Sequence, residues 1–360
     1  MAATDALRPL SARFGARRRH RELPGMAGPP PRRLNRILLH LTLGVLVVWS
    51  VTPFVWALQS SIKFTRDAVS RTPVLWGYEV TSNAYRAFWL RSDDQAFLPV
   101  VGVLLGGVLV SVLVARIGRR QRTSWPWYLA SALIVAWTIW FIPTQFAMTR
   151  NYAYFINSVI VTVLTLAISI SLGLLAGYGL ARYSGISGAA ILIVALAFRA
   201  LPRTAFALPY YVAADRLGIL NSRLVVVMAL VALNQPFTIW MLRSFFMEIP
   251  RAIEEAAMVD GANRFQAFWR VIVPIMWPGI IATSLFTLLL AYNEFLLVRV
   301  LTITEWTLPV ALVALTGGES TTTLTQAAAA SVSITLPIVV IIIIFQKHLV
   351  KGLAAGAVKG

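Results

Sequence analysis

Long apolar segments alternate with short polar segments along most of the chain. Several of the apolar runs reach about 20 residues, the length at which a helix crosses the roughly 30 Å hydrocarbon layer of a bilayer. Runs of this length are too long for barrel strands, and a spanning backbone is satisfied only in helices or closed barrels. The pattern therefore predicts an all-α polytopic membrane protein with eight spans, at about residues 37–58, 98–115, 127–147, 155–180, 188–210, 223–246, 276–298 and 326–346.

The composition agrees with this class and excludes several kinds of chemistry. Of the 360 residues, 58% are hydrophobic and 13% are charged, whereas a soluble domain carries about twice that charged fraction. The absence of cysteine excludes disulfides, thiolate catalysis and cysteine-ligated metals. The three histidines, His20, His40 and His348, are far apart in sequence and show no metal-ligand spacing. We therefore expect no metal site.

The net charge of +18 is distributed as in a membrane protein. Nine arginines lie within residues 1–36, and many others lie in short segments between the predicted spans. Cytoplasmic loops carry an excess of Lys and Arg. Placing the N-terminal segment inside puts 20 of the 32 basic residues on the cytoplasmic side. We therefore expect both termini to be cytoplasmic, and we do not expect nucleic acid as a partner.

The basic segment at residues 1–36 is predicted to be a disordered cytoplasmic tail that sets the topology. A targeting presequence or a lipid-binding arm is the alternative interpretation of the same residues. Met26 is a second candidate start, which N-terminal sequencing of the native protein would distinguish from Met1. No cleavable signal peptide is expected, because the run at 37–58 is a full span rather than a short signal-peptide core.

A polar, helix-prone loop at residues 247–275 carries a recognisable spacing. Glu255-Ala256-Ala257 is followed by three residues, Gly261, nine residues and then Val271, Val273 and Pro274. Acidic side chains in the first turns of a helix favour its dipole, and alanines let a partner surface approach closely. Gly261 is suited to end this first short helix.

A second short helix is predicted after Gly261. Asn263 is a suitable cap for this helix. Phe265, Phe268 and Trp269 would form an apolar face at helical spacing along it. Pro274 would mark the return to the membrane.

This spacing resembles the cytoplasmic loop of permease subunits in bacterial ATP-binding-cassette (ABC) importers, and further segments extend the resemblance. Residues 33–90 are similar to the opening span and outer loop of the family. The segments that follow in order are Asn157-Ser158, 236–240, 245–250, Tyr292-Asn293-Glu294-Phe295, 307–310 and 353–360. Together they resemble the second permease of carbohydrate importers, of the maltose-transporter type.

The resemblance implies a core of six spans and an insertion. The first span and outer loop occupy 37–90, the rest of the core occupies 151–346, and a cytoplasmic tail occupies 347–360. Residues 91–150 would form an inserted two-helix hairpin in the first outer loop. The hairpin would either face lipid or dock an accessory partner, and Gly102, Gly106 and Gly107 would permit close packing on it.

The resemblance also implies a set of partners and the residues that contact them. The first short helix would fit a cleft on the ATPase, and Gly356 and Lys359 in the tail would lie near the paired ATPases. The chain has no G-x-x-x-x-G-K-[ST] phosphate loop, so ATP and Mg²⁺ would bind a separate subunit and no cofactor is expected here. The implied partners are a second homologous permease, two ATPase copies and an extracytoplasmic solute-binding protein. The expected ATPase-coupling residues are Glu254, Glu255, Ala256, Ala257, Asp260 and Gly261.

Several polar residues within apolar segments are candidates for a translocation path. A charge there costs about 2.5–3.5 kcal/mol on insertion scales, so it usually has a partner or a wet cavity. Alternatively, Glu294 pairs with an arginine for assembly, or the arginines extend to the membrane interface. Pro202, Pro209 and Pro236 are predicted to interrupt their helices. The candidate path residues are Asn293, Glu294, Asn234, Arg199 and Arg203, with Tyr210, Tyr211, Trp240 and Tyr292 as possible aromatic faces for sugar rings.

The resemblance implies an inner-membrane permease subunit of a bacterial ATP-driven importer for a sugar or sugar derivative. One alternative is a secondary transporter that uses an ion gradient and Glu294 for protons. Another is an intramembrane enzyme, for which only Glu294 with arginines remains as a catalytic set. The sequence does not identify the sugar, or whether this subunit contacts it.

Overall fold

The computed structural model describes residues 33–72, 74–91, 97–118, 125–182, 185–316 and 321–357. The described residues form helices and two isolated β-bridges but no strand, which confirms the all-α prediction. Most of the predicted tail, including Met26, and Lys359 at the other end lie outside the described residues. The helices are α1 Arg33–Ser61, α2 Thr65–Ala68, α3 Asn83–Trp89, α4 Phe97–Gly118, α5 Trp125–Gln145, α6 Arg150–Arg182, α7 Ile186–Arg199, α8 Arg203–Arg216, α9 Arg223–Glu248, α10 Arg251–Val259, α11 Arg264–Ala267, α12 Val273–Ile275, α13 Trp277–Tyr292, α14 Leu296–Leu301, α15 Leu308–Thr316 and α16 Thr321–Ala357, with a π-helical turn Phe268–Ile272 between α11 and α12.

The chain divides into two compact units at residue 55, within α1. In the first unit, the described residues form an apolar helix from Arg33 onward. The second unit, residues 56–360, contains the rest of the helices and both candidate sites.

Within the described ranges, six helices are long and apolar enough to cross a membrane, and two bent helix pairs bring the number to eight if each pair is one span. The prediction of continuous spans at 188–210 and 276–298 is wrong in detail. The first is a pair, Ala190–Arg199 and Arg203–Arg216, bent by 96°. In the second, α13 ends at Tyr292, and Arg264–Ile275 meets it at a bend of 75°.

Proline explains the first bend but not every proline bends its helix. Pro202 has no N–H to donate and disfavours helical geometry at Leu201 before it, so α7 ends and α8 begins around it. Pro209 and Pro236, in contrast, lie inside α8 and α9, which continue through them. The predicted interruption is therefore found at Pro202 and is wrong at the other two positions.

The central packing of the second unit is the crossing of α6 and α9. Gly173 lies against Thr238, where a Cβ would come within 2.8 Å of the threonine methyl group. At Gly177 a Cβ would lie 3.1 Å from the backbone nitrogen of Arg243. The two helix backbones approach each other closely because these positions carry no side chain.

The helices α4 and α5 form a hairpin in which small and polar residues contribute to the contact. Ser111 and Ser131 share a hydroxyl–hydroxyl hydrogen bond of 2.8 Å, and Gly107 lies against Thr138. A Cβ at Gly102 or Gly106 would meet no atom within 4 Å. Close packing therefore uses Gly107 and not the other two glycines that were predicted with it.

Substitution of Gly177 tests the α6–α9 crossing. Gly177→Val should lower the free energy of unfolding in detergent by about 1–3 kcal/mol, because its Cβ would lie 3.1 Å from a backbone atom of α9 and the added methyl groups would crowd that helix further. Gly179→Val is the matched control, since a Cβ there meets no atom within 4 Å on the same helix. Equal destabilisation by both substitutions would contradict the described packing.

Candidate functional sites

The loop after α9 folds into the two short helices predicted from its spacing. α10 ends at Val259, and Gly261 adopts a φ of +90°, which a residue with a side chain rarely adopts. Asn263 then caps the next helix with a capping box. Its side-chain oxygen accepts from the Gln266 backbone N–H at 2.8 Å, and the Gln266 side chain accepts from the Asn263 N–H at 3.1 Å. The predicted bend and cap are thus confirmed.

One face of α10 and of the turn that follows it is exposed and carries both acidic and apolar residues. Glu255, Ala256, Asp260 and Gly261 are exposed, and Ala257 is half-buried. The apolar side chain of Val259 next to them is 86% exposed. Acidic groups therefore flank a small apolar surface that no described residue of this chain covers.

Glu254 lies on the opposite, inner side and is only 8% exposed. One carboxylate oxygen accepts from the hydroxyl of Tyr178, and the other accepts from Nε of Arg182 at 2.9 Å. The same arginine donates to the backbone oxygens of Phe246 and Ile249 at 3.4 and 3.3 Å. We call Tyr178, Arg182 and Glu254 the brace. It joins the ends of α6 and α9 to α10, so Glu254 is placed differently from the exposed Glu255.

The three aromatic residues of the second short helix do not share one environment. Phe268 is buried, with its ring centroid 4.7 Å from that of Tyr178. Phe265 and Trp269 are exposed and pack edge-to-face on each other. The predicted single apolar face is therefore divided, because the chain passes into a π-helical turn at Phe268 that shifts the angular spacing.

Four of the five predicted path residues line one cavity of about 130 Å³, which we call the polar cavity. It lies where α7 and α8 meet at their bend, opposite α9. Asn293 does not line it; this residue is exposed, and its side chain donates to the backbone oxygen of Leu289 at 3.0 Å. The lining residues are Arg199, Leu201, Arg203, Phe206, Leu230, Leu233, Asn234 and Glu294.

Glu294 is the carboxylate of the polar cavity, and it is 2% exposed. One of its oxygens pairs with Nη1 of Arg203. The other accepts from the backbone N–H of Leu297 at 3.0 Å and so satisfies the first turn of α14. The alternative in which Glu294 pairs with an arginine is therefore the arrangement in the structure, and this pair is itself part of the cavity wall.

Arg199 ends α7 with its guanidinium 4.3 Å from the ring centroid of Phe237. No carboxylate lies within ion-pair distance of it in the described part of the chain. Arg199 is half-buried, and a cation–π contact contributes about 0.5–2 kcal/mol, depending on how far the pair is desolvated. The ring therefore stabilises the charge without supplying an ion-pair partner.

The aromatic residues proposed as sugar platforms lie elsewhere. Tyr292 is buried in the packing and donates to the backbone oxygen of Ile334 at 3.2 Å. Tyr210 packs against a hydrophobic cluster, and Tyr211 and Trp240 are exposed outside the cavity lining. Phe206 and Phe237, which the sequence analysis did not single out, are the aromatic residues at the cavity and its arginine.

The remaining predicted residues are only partly described. Gly356 lies in the last turns of α16, and Lys359 lies outside the described residues. The sequence patterns do not single out Tyr178 and Arg182 of the brace, because their contacts with Glu254 join residues 76 and 72 positions apart.

Comparison with known proteins agrees with these features. A probable ABC transporter permease, y4oR of Sinorhizobium fredii, is 34% identical over 216 residues, which cover 59% of this chain and 77% of the relative. The trehalose/maltose transport system permease MalG of Thermococcus litoralis is 31% identical over 210 residues, 58% of this chain and 76% of that protein. The trehalose transport system permease SugB of Mycobacterium tuberculosis is 34% identical over 208 residues, with coverage of 57% and 76%.

The fold has a solved counterpart. A chain in the crystal structure of a bacterial ABC transporter involved in the import of the acidic polysaccharide alginate has a TM-score of 0.59 and 19% identity, and the match covers 89% of this chain and 99% of that one. The family model for the binding-protein-dependent transport system inner membrane component matches residues 169–355, just over half of the chain. These residues include the brace, α10 and the polar cavity. The chain therefore belongs to the family of binding-protein-dependent transport system inner membrane components, the multi-pass permeases of ABC importers.

Proposed function

We propose that this chain is the permease subunit of an ATP-driven importer for a sugar or sugar derivative and that it couples to its ATPase through α10. The observation that carries the coupling proposal is the exposed acidic and apolar face of α10 directly opposite the buried brace. The sugar proposal is supported by the trehalose and maltose named for two of the relatives. Permeases of this family operate with an ATPase and a solute-binding protein.

The finer assembly follows from the family architecture. A second homologous permease would complete the translocation path, and two ATPase copies would bind ATP and Mg²⁺, for which this sequence has no phosphate loop. Both termini and α10 would lie on the cytoplasmic side, as the distribution of basic residues favours. The tail at 347–360, with Gly356 and Lys359, would approach the ATPases.

The domain arrangement that we propose has six core spans and two inserted ones. α1, α6, the bent pair α7–α8, α9, the pair ending in α13, and α16 would form the core. The hairpin of α4 and α5, within residues 91–150, would be the insertion. Because two spans are added together, every later loop stays on the side that the six-span core requires.

Hydrogen bonds and close helix packing connect α10 to the polar cavity. The brace ties α10 to the ends of α6 and α9 through one arginine and three acceptor groups. α9 in turn carries Asn234 in the cavity wall and packs closely on α6 at Gly173 and Gly177. Closure of the ATPases would therefore move the cavity wall together with α10, a two-state change driven by differential contacts.

The secondary-transporter alternative fits this geometry less well. A proton-carrying carboxylate needs to exchange its proton with solvent during the cycle. Glu294 is 2% exposed and both its oxygens are engaged, by Arg203 and by the Leu297 N–H. The importer proposal assigns Glu294 a fixed role at the helix junction.

Charge reversal at Glu255 tests the coupling proposal. Glu255→Lys should abolish, or reduce by at least about tenfold, co-purification of the ATPase, because like or unmatched charges across an interface cost several kcal/mol. Glu248→Lys is the matched control, since it reverses an exposed acidic residue at the end of α9, outside α10.

Two outcomes would contradict this assignment. One is loss of the ATPase in both variants, which would indicate a general dependence on acidic charge. The other is a wild-type chain that purifies alone and moves solute on an ion gradient, which would contradict the importer itself.

The brace generates a separate prediction about stability and coupling. Arg182→Met leaves the Glu254 carboxylate buried without its ion-pair partner and should cost about 3–5 kcal/mol of unfolding free energy. Arg182→Met combined with Glu254→Met should recover part of that loss, because no unpaired charge remains. Arg223→Met, which breaks the more exposed pair with Glu305, should cost about 0–1 kcal/mol.

The double variant also separates packing from coupling. If it folds and still binds the ATPase, transport per ATP hydrolysed should fall, because α10 is no longer tied to α6. A double variant less stable than Arg182→Met alone, or one with unchanged coupling, would contradict the role given to the brace.

A further inference from the structure

The polar cavity offers more hydrogen-bond donors than free acceptors. Arg199 has five N–H groups and no acceptor atom, and its guanidinium lies over the ring of Phe237. The side-chain amide of Asn234, a residue 4% exposed, makes no hydrogen bond within the described part of the chain. The oxygens of Glu294 are already used by Arg203 and the Leu297 N–H. The wall therefore presents unused donors from two different helices.

The charges that line the cavity do not balance. Arg199 and Arg203 contribute two positive charges, and Glu294 contributes one negative charge. Glu294 pairs with Arg203 and accepts from the first turn of α14, and it forms no ion pair with Arg199. An ionisable group in a membrane-spanning region normally has a partner, and here the described residues supply none for Arg199.

The position of Arg199 at the C-terminal end of α7 also stabilises its positive charge. The C-terminal end of a helix favours a cation through its dipole. This effect explains why an arginine is tolerated there, but it does not account for a buried, unpartnered amide facing the same cavity. The two observations together point to a ligand that brings acceptors and a negative charge.

We propose that the polar cavity binds an anionic oxygen group of the transported solute, a carboxylate, sulfonate or phosphate ester carried on a sugar. Arg199 supplies bidentate donors to this group, as guanidinium groups do for planar and tetrahedral oxyanions, and Asn234 supplies a further N–H. The substrate class is therefore an acidic sugar derivative rather than a neutral sugar. This inference rests on the proposed function, because it takes the cavity to lie on the path of the solute.

The size of the cavity is sufficient for an oxyanion group. One water needs about 10–15 Å³ of the volume open to the centre of a water-sized probe, and the cavity provides about 130 Å³ on the same measure. Arg203 stays paired with Glu294 and contributes its charge to the field of the site without direct donation.

The test measures ligand-induced stabilisation of the purified permease–ATPase complex in nanodiscs of phosphatidylcholine. The probes are D-glucuronate, glucose 6-phosphate and neutral glucose, at one ionic strength held with sodium chloride. Glucuronate and glucose 6-phosphate should raise the unfolding temperature of the wild type, and glucose at the same concentration should not. Arg199→Gln should weaken the apparent affinity for glucuronate by at least about tenfold, as expected when a charged hydrogen-bonding partner is lost.

Two further variants serve as controls. Arg216→Gln removes an exposed arginine at the other end of α8, outside the cavity lining, and should leave the glucuronate response unchanged. Arg199→Lys keeps the charge but loses the bidentate geometry, so it should give an intermediate response. The wild-type comparison alone remains decisive if Arg199→Gln does not assemble.

Several results would overturn the proposal. They are an equal response to glucose and glucuronate, no response to either acidic probe, or the same loss in Arg216→Gln as in Arg199→Gln. A lipid phosphate has the same chemistry, so a parallel series adds phosphatidylglycerol to the nanodiscs. An Arg199-dependent stabilisation by that lipid without one by glucuronate would assign the cavity to lipid and overturn the solute assignment.

Failure of this proposal is distinguishable from failure of the proposed function. If the ATPase co-purifies and hydrolyses ATP but the acidic probes have no effect, the importer stands and the acidic substrate class is wrong. If no ATPase co-purifies and the chain purified without it is stabilised by glucuronate through Arg199, the site stands and the ATP-driven mechanism is wrong.

Discussion

The need of a buried charge for a partner constrains this molecule more than any other single factor. Among the described residues, Glu254 and Glu294 are the acidic residues buried at helix junctions, and each pairs with an arginine from a different helix. Each also satisfies a second group, the Tyr178 hydroxyl in one case and the Leu297 N–H in the other. Losing either arginine would leave a buried carboxylate unpaired, which costs more than the pair contributes. The two pairs therefore hold neighbouring helices together at places where helices break and turn.

These two pairs lie on either side of the packed crossing of α6 and α9. The first pair holds α10 against the ends of α6 and α9, and the second holds the bend between α7 and α8 against the end of α13. The crossing of α6 and α9, close because Gly173 and Gly177 have no side chains, lies between them. Rigid packing over this distance is what allows a contact at α10 to change the polar cavity, because packed interiors switch between discrete arrangements and do not deform smoothly.

Much of this was readable from the sequence, and the misses have physical causes. Hydrophobic run length predicted the helices, and the spacing around Glu255 and Gly261 predicted two short helices with a left-handed glycine between them. Run length could not show the 96° bend, since a helix broken at Pro202 has the same composition as a straight one. Pro209 and Pro236 show the reverse, because a helix packed on its neighbours tolerates one missing hydrogen bond. The pairing of Glu254 with Arg182, 72 positions apart, required the fold. The grouping of Arg199, Arg203, Asn234 and Glu294 was predicted as a list of polar residues, but their shared cavity was not.

The central claim is that the exposed face of α10 is the contact with the ATPase, and the absence of cysteine from the chain permits a direct test. The two variants are Ala256→Cys, on α10, and Ile303→Cys. Ile303 is exposed and hydrogen-bonds to Asn221, which lies just before the start of α9, at the end of that helix away from α10. Each variant would be treated, in the assembled complex, with a short bifunctional reagent that joins the cysteine to a neighbouring subunit. The account predicts an ATPase adduct from the cysteine at position 256 and none from that at position 303. An assembled, active complex in which position 256 gives no adduct would contradict it.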